Sequence, residues 1–138
     1  MQVISPLEDF PGVGTVANPA VFFDGNDAFV SYEASVPAGG GNVVLRFIDV
    51  IDIKITPMNV EGLNACRYRI NPWAFNEIIG VEEVAKWSVL HARLWLISFN
   101  DLMIEVIFEA VTLVSHDNVY RSPHLALAGV VRNDGLAS

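Results

Sequence analysis

At 138 residues the chain can build one real hydrophobic core but has little room for two. Hydrophobic residues make up 52 % and charged ones only 17 %, which argues against disorder and points to apolar surface covered by a partner or a second copy. The formal net charge is −8 and the only lysines are Lys54 and Lys86, so nucleic acid and anionic membranes are poor partners; a basic protein or a small neutral ligand fits better.

Residues 1–19 hold Pro6, Pro11, Pro19, Gly12 and Gly14, and read as an irregular arm. Ala20–Phe23 and Ala28–Ser35 are β-rich runs joined by the turn-forming tetrad Asp24-Gly25-Asn26-Asp27. Pro37 and three glycines make a loop of 36–42. In Val43–Thr56, residues Val43, Leu45, Phe47, Ile51, Ile53 and Ile55 share one parity, and Asp49 interrupts them. That pattern is one long strand with a bulge or bend near Asp49, or two short ones. Asn71-Pro72 resembles a helix start and Gly80 a helix stop, so 73–79 reads as a helical insert, with another short turn over 81–87. Ala92–Phe99 and Leu102–Val114 flank Asn100-Asp101. A two-residue loop sets Phe99 against Leu102, Ile97 against Ile104, Trp95 against Val106 and Arg93 against Phe108. Apart from Arg93 that face is apolar. Leu125–Val131 reads as a last strand, and 132–138 as a flexible end. The whole is one mainly β domain over 1–138: an antiparallel β-sandwich or partly open barrel with one short helical insert.

Cys66 is the only cysteine, so there is neither an internal disulfide nor a cysteine-based zinc site. A single thiol suits a reducing cytosol. Residues 1–10 lack the basic and apolar regions of a signal peptide, and no apolar run approaches the ~20 residues of a membrane span. The expected location is cytoplasmic.

The chemistry-bearing residues have stronger bland readings. Glu105 and Glu109 would lie about 13 Å apart along a strand, too far for a carboxylate pair in glycoside hydrolysis. His91, His116 and His124 share no metal-ligand spacing, and only an unfamiliar site built on His116, Asp117 or His124 would make the chain an enzyme. Asp24, Asn26 and Asp27 lack the remaining ligands of a calcium loop. Gly39-Gly40-Gly41-Asn42 is not followed by the Lys-Ser or Lys-Thr of a phosphate loop. No catalytic residue, metal or cofactor is therefore assigned. Tyr68, Trp73 and Trp87 bracket the insert and are the candidate lining of a site for a sugar or another small neutral molecule, with anchoring of the insert as the competing role. Acidic loop residues Asp24, Asp27, Glu61, Glu82 and Glu83 are the candidate partner contacts.

The segments Val43–Leu63, Asn71–Gly80 and Ile97–Val111 resemble parts of short bacterial β-rich proteins, some of the immunity type that neutralise a neighbouring toxin. The resemblance implies a β-rich fold and a protein partner, and it carries over no catalytic residue. The expected function is non-catalytic protein interaction, with a small-molecule or carbohydrate-binding module as the alternative. Exposed β edges and high apolar content also make a homodimer the expected oligomer.

Overall fold

The computed structural model describes residues 2–57, 70–85 and 91–133. The Asn100-Asp101 hairpin forms in the expected register. Strand β7 (Arg93–Ser98) pairs with β8 (Leu102–Phe108), placing Trp95 opposite Val106 and Arg93 opposite Phe108. The second expected hairpin also forms, from β2 (Ala20–Phe23) and β3 (Ala28–Glu33).

The interruption at Asp49 is a change of sheet. Strands β4 (Asn42–Ile48) and β5 (Asp52–Pro57) run antiparallel to β9 (Ala110–Asp117) and β8 respectively. Together they form one ribbon, from Asn42 opposite Asp117 to Pro57 opposite Leu102. Pairing persists through the corner, where Glu109 N–H donates to Ile48 O (3.1 Å) and Ile51 N–H to Ile107 O (2.7 Å). Strands that switch sheets at a bend are a known way to build the corner of a sandwich. Asp49 turns the chain there with φ of 54°, a left-handed conformation that Asp tolerates better than most residues.

Adding β1 (Gln2–Ile4) and β6 (Phe75–Ile79) completes a five-stranded sheet in the order β1-β6-β7-β8-β5. The other sheet runs β2-β3-β4-β9. All pairings are antiparallel, and the two sheets make a sandwich rather than a closed barrel. Trp95 lies at the centre between them, edge-on to Phe47 (ring centroids 5.7 Å) and Phe108 (5.3 Å). Each such pair contributes about 0.5–1.5 kcal/mol beyond the area it buries. The hairpin's opposite face is also covered: Leu94, Leu96, Met103 and Ile107 are buried with Ile78 and Ala92.

Three expectations are corrected. Residues 75–79 form strand β6, not helix. Asn76 closes the preceding turn instead: its Oδ1 accepts from Asn71 N–H (2.9 Å) and its Nδ2 donates to Asn71 O (3.1 Å) and Leu96 O (3.2 Å). The helical insert shrinks to α1 (Glu82–Ala85). Residues 125–131 belong to helix α2 (Pro123–Asn133), which includes Arg132 and Asn133 of the expected flexible end; 134–138 lie outside the described residues. Ala126, Leu127, Val130 and Val131 form its apolar stripe against Phe29 and Val44 on the outer face of the four-stranded sheet. Burying a leucine such as Leu127 is worth about 2 kcal/mol, enough to override β-propensity.

The N-terminal arm, irregular between residues 5 and 19 apart from one bridge, is tied to the sandwich. Its first residues form β1, and Val13 bridges Ala34. Tyr32 Oη donates to Pro11 O (2.6 Å), and burial pushes that phenol's pKa upward. Arg93, the one charge on the apolar hairpin face, closes one side of the core. It makes two bonds to Glu8 (2.6 and 2.8 Å) and two to Glu77 (2.6 and 3.0 Å). The guanidinium holds the Glu8 carboxyl below its ordinary range.

Candidate interaction surface

Four strands form the edges of the two sheets: β1 and β5 of one, β2 and β9 of the other. An edge offers unpaired backbone N–H and C=O groups to any extended chain. β1 has three residues and β2 four, too short to be strong templates. β5 has six, but it carries Lys54 and ends on Pro57, two common edge guards. β9 is the longest at eight residues, reads AVTLVSHD, and contains neither lysine nor proline. No described strand pairs with its far side.

A register shift between Val44 and Leu45 leaves Val114 as an extra residue on β9. This bulge puts Val114, Ser115 and Asp117 along one wall of a groove of about 460 Å³. Helix α2 contributes Ala126, Gly129 and Val130 to the lining, and Val119 and Tyr120 complete it. Tyr120 is positioned by contacts at both ends. Its carbonyl accepts from the buried Asn42 Nδ2 (2.7 Å), and its ring lies so close to Gly129 that a Cβ there would clash with Tyr120 Oη. Among the described residues, Asp117 is the only charged side chain of the lining, and its Oδ1 accepts from Val119 N–H (3.1 Å). Leu113, Val114, Val119 and Tyr120 are all exposed large apolar side chains within one eight-residue stretch.

The sequence-derived candidates are scattered by comparison. Tyr68, Trp87 and Glu61 lie outside the described residues, as does the side chain of Glu83. Trp73 is 41 % exposed on the turn before β6, with φ of 47°. Glu82 is exposed on α1. Asp24 and Asp27 come together in the β2–β3 turn, but in different roles. Asp24 is exposed, and its Oδ1 accepts from Asp27 N–H (2.7 Å) and Asn26 N–H (2.8 Å), which lowers its pKa. Asp27 is only 3 % exposed and is a fold residue, which corrects its reading as a partner contact. One of its oxygens takes Arg46 Nη2 (2.6 Å) and the other takes Asp49 N–H (3.0 Å), so the turn pins the ribbon corner.

No group of three metal-capable side chains occurs among the described residues. His116 Nε2 lies 2.8 Å from Gly40 O, while the neighbouring Asp117 lines the groove. Glu109 and Asp49 approach one another at the corner. Hydrogen bonding to Asp49 raises the Glu109 pKa.

The groove residues escaped sequence reasoning because β9 was read only as the tail of the hairpin. The strand itself has a signal, the apolar and β-branched run 110–114 with neither lysine nor proline, but the groove beside it has none. No protein family, curated protein or solved structure matches the chain.

Proposed function

We propose that this chain is a non-catalytic protein-interaction domain whose working surface is the β9 edge and the groove beside it. The observation that carries the reading is the eight-residue edge without lysine or proline, set against apolar side chains that are left exposed. Lysine and proline are common devices against edge-to-edge pairing, and exposed apolar patches mark interaction sites. A toxin-neutralising role, as the resemblance implies, is one form of this function. Self-association is the other use of such an edge and competes for the same backbone groups.

The test uses the whole chain as bait in native lysate at low salt. A discrete protein should be retained by the wild type and by Ile55→Lys on the β5 edge, and lost with Val114→Lys. Retention that ignores Val114→Lys, or no retained protein at all, overturns the reading.

A small neutral ligand in the same groove is the second reading, favoured by a volume within the roughly 300–1,000 Å³ of ligand sites and by Tyr120 in its lining. Carbohydrates and metabolites that shift the Tyr120 resonances would support it. Trp73 offers a further aromatic surface, and its fluorescence reports on that separate position.

A further inference from the structure

We infer that the groove between β9 and α2 binds a small organic cation: an amine whose ammonium pairs with the Asp117 carboxylate and whose aliphatic body lies along Val114, Ala126 and Val130. This rests on the small-ligand reading of the groove and departs from it in one respect, the charge of the ligand. The observation behind it is a juxtaposition. One cavity of about 460 Å³ has aliphatic side chains and a carboxylate in the same lining. Asp117 Oδ1 accepts from Val119 N–H (3.1 Å), so the carboxylate is oriented before any ligand arrives. A carboxylate offers about four lone-pair sites, and an ammonium brings three donors and needs no acceptor.

The local chemistry separates the occupants. Among the described residues, the lining contains no cation to neutralise Asp117. A neutral ligand can donate a hydrogen bond to the carboxylate, but it leaves the charge unbalanced in the space it has dried. An anion adds like-charge repulsion. A bare metal ion would meet one carboxylate among apolar walls, and no group of three metal-capable side chains occurs among the described residues. An aliphatic amine matches both halves of the lining. Its head replaces water at Asp117 with a charge-assisted hydrogen bond, and its body takes the exposed Val114 out of water. The groove is formed in advance, because Tyr120 is held through its carbonyl by Asn42 and packs its ring on Gly129.

The probes are hexylamine, hexanol and hexanoate, which share one aliphatic body and differ in the head group. Each is titrated into the full chain near neutral pH while amide and methyl resonances are followed. Hexylamine should bind about threefold tighter than hexanol, as expected for one exposed ion pair, with hexanoate weakest and the largest shifts at Val114 and Val130. Added salt should shrink the preference for the amine. Asp117→Asn keeps an acceptor for Val119 N–H and removes the charge, so hexylamine should fall to the affinity of hexanol while hexanol is unchanged. Val114→Lys places an ammonium on the groove wall and should abolish hexylamine binding, with amide shifts away from the groove left in place. A preference for the amine that survives Asp117→Asn overturns the inference, as do shifts centred on the acidic corner at Asp49 and Glu109. If hexylamine and hexanol move the groove resonances equally, the small-ligand reading stands and only the cation assignment falls. If no probe, carbohydrate or metabolite moves them, both fall.

Discussion

β5 and β9 are the outer arms of one ribbon, yet they meet solvent differently. β5 lies on the edge of its sheet with Lys54 and Pro57 in place. β9 lies on the edge of the other sheet, two residues longer and without either guard. The two arms share a corner and an antiparallel pairing scheme. What separates them is side-chain chemistry and the neighbour each has acquired, which for β9 is the groove under α2. An edge strand is therefore judged by its guards and surroundings, and hydrogen-bond geometry alone does not mark β9 out.

The most disruptive way to break this comparison is at the corner. Asp27→Ala leaves Arg46 without one partner and Asp49 N–H without an acceptor. A loss of about 2 kcal/mol is expected in urea denaturation, below the full cost of a buried ion pair because Arg46 is partly exposed. Both arms should then show faster amide exchange. A smaller change confined to β9 comes from Gly129→Ala. The new methyl must displace Tyr120, at about 1–2 kcal/mol, and partner binding at the groove should fall while β5 exchange stays as it was.

Stripping the guards sharpens the contrast from the other side. Lys54→Val combined with Pro57→Thr should give β5 the character of β9 and produce concentration-dependent association in light scattering, with monomer stability within about 0.5 kcal/mol of wild type. Unchanged scattering would mean the guards do not distinguish the arms.

The smallest effects are in pH dependence, and they have opposite signs. Glu8 titrates below its ordinary 4.5 because of Arg93, so its contribution is present above that pH and lost as pH falls through the folded-state value. Glu8→Gln should flatten the acid limb of the stability curve. Glu109 titrates above its ordinary 4.5 because of Asp49, so its contribution is present at low pH and lost as pH rises through the folded-state value. Glu109→Gln should remove that loss at the junction of the two arms.

How much could be read in advance depended on how local the cause was. The β7–β8 register was legible because a two-residue turn leaves the pairing little freedom. The bend at Asp49 was legible as a fault in parity. A residue-proline pair, in contrast, was ambiguous. Asn71-Pro72 looked like a helix start and opens a turn, because Asn76 can reach back five residues to hold it. Ser122-Pro123 carries the same signal and does open a helix, with Ala126 N–H donating to Ser122 O (3.1 Å). Sheet contacts made that difference, and periodicity does not encode them. Arg93 stood out as the charge on an apolar face, but one of its partners, Glu8, is 85 residues away in the chain. The groove was illegible for a similar reason: its two walls come from strand and helix segments that meet only after α2 crosses the sheet.

The sheet-switching ribbon also bears on the order in which the chain acquires its structure. Its closing pair, Asn42 and Asp117, is separated by 75 positions, and its innermost pair, Pro57 and Leu102, by 45. Local hairpins such as 93–108 can zip early, but the ribbon must wait for a large loop to close. During synthesis, β2, β3 and β4 emerge long before β9 and α2, which complete their sheet and cover its outer face. For that interval the nascent chain presents Phe29 and Val44 uncovered and β4 as an open edge. The early three-stranded half is thus the segment most exposed to aggregation, and the one for which chaperone protection before residue 133 emerges would have the greatest effect on yield.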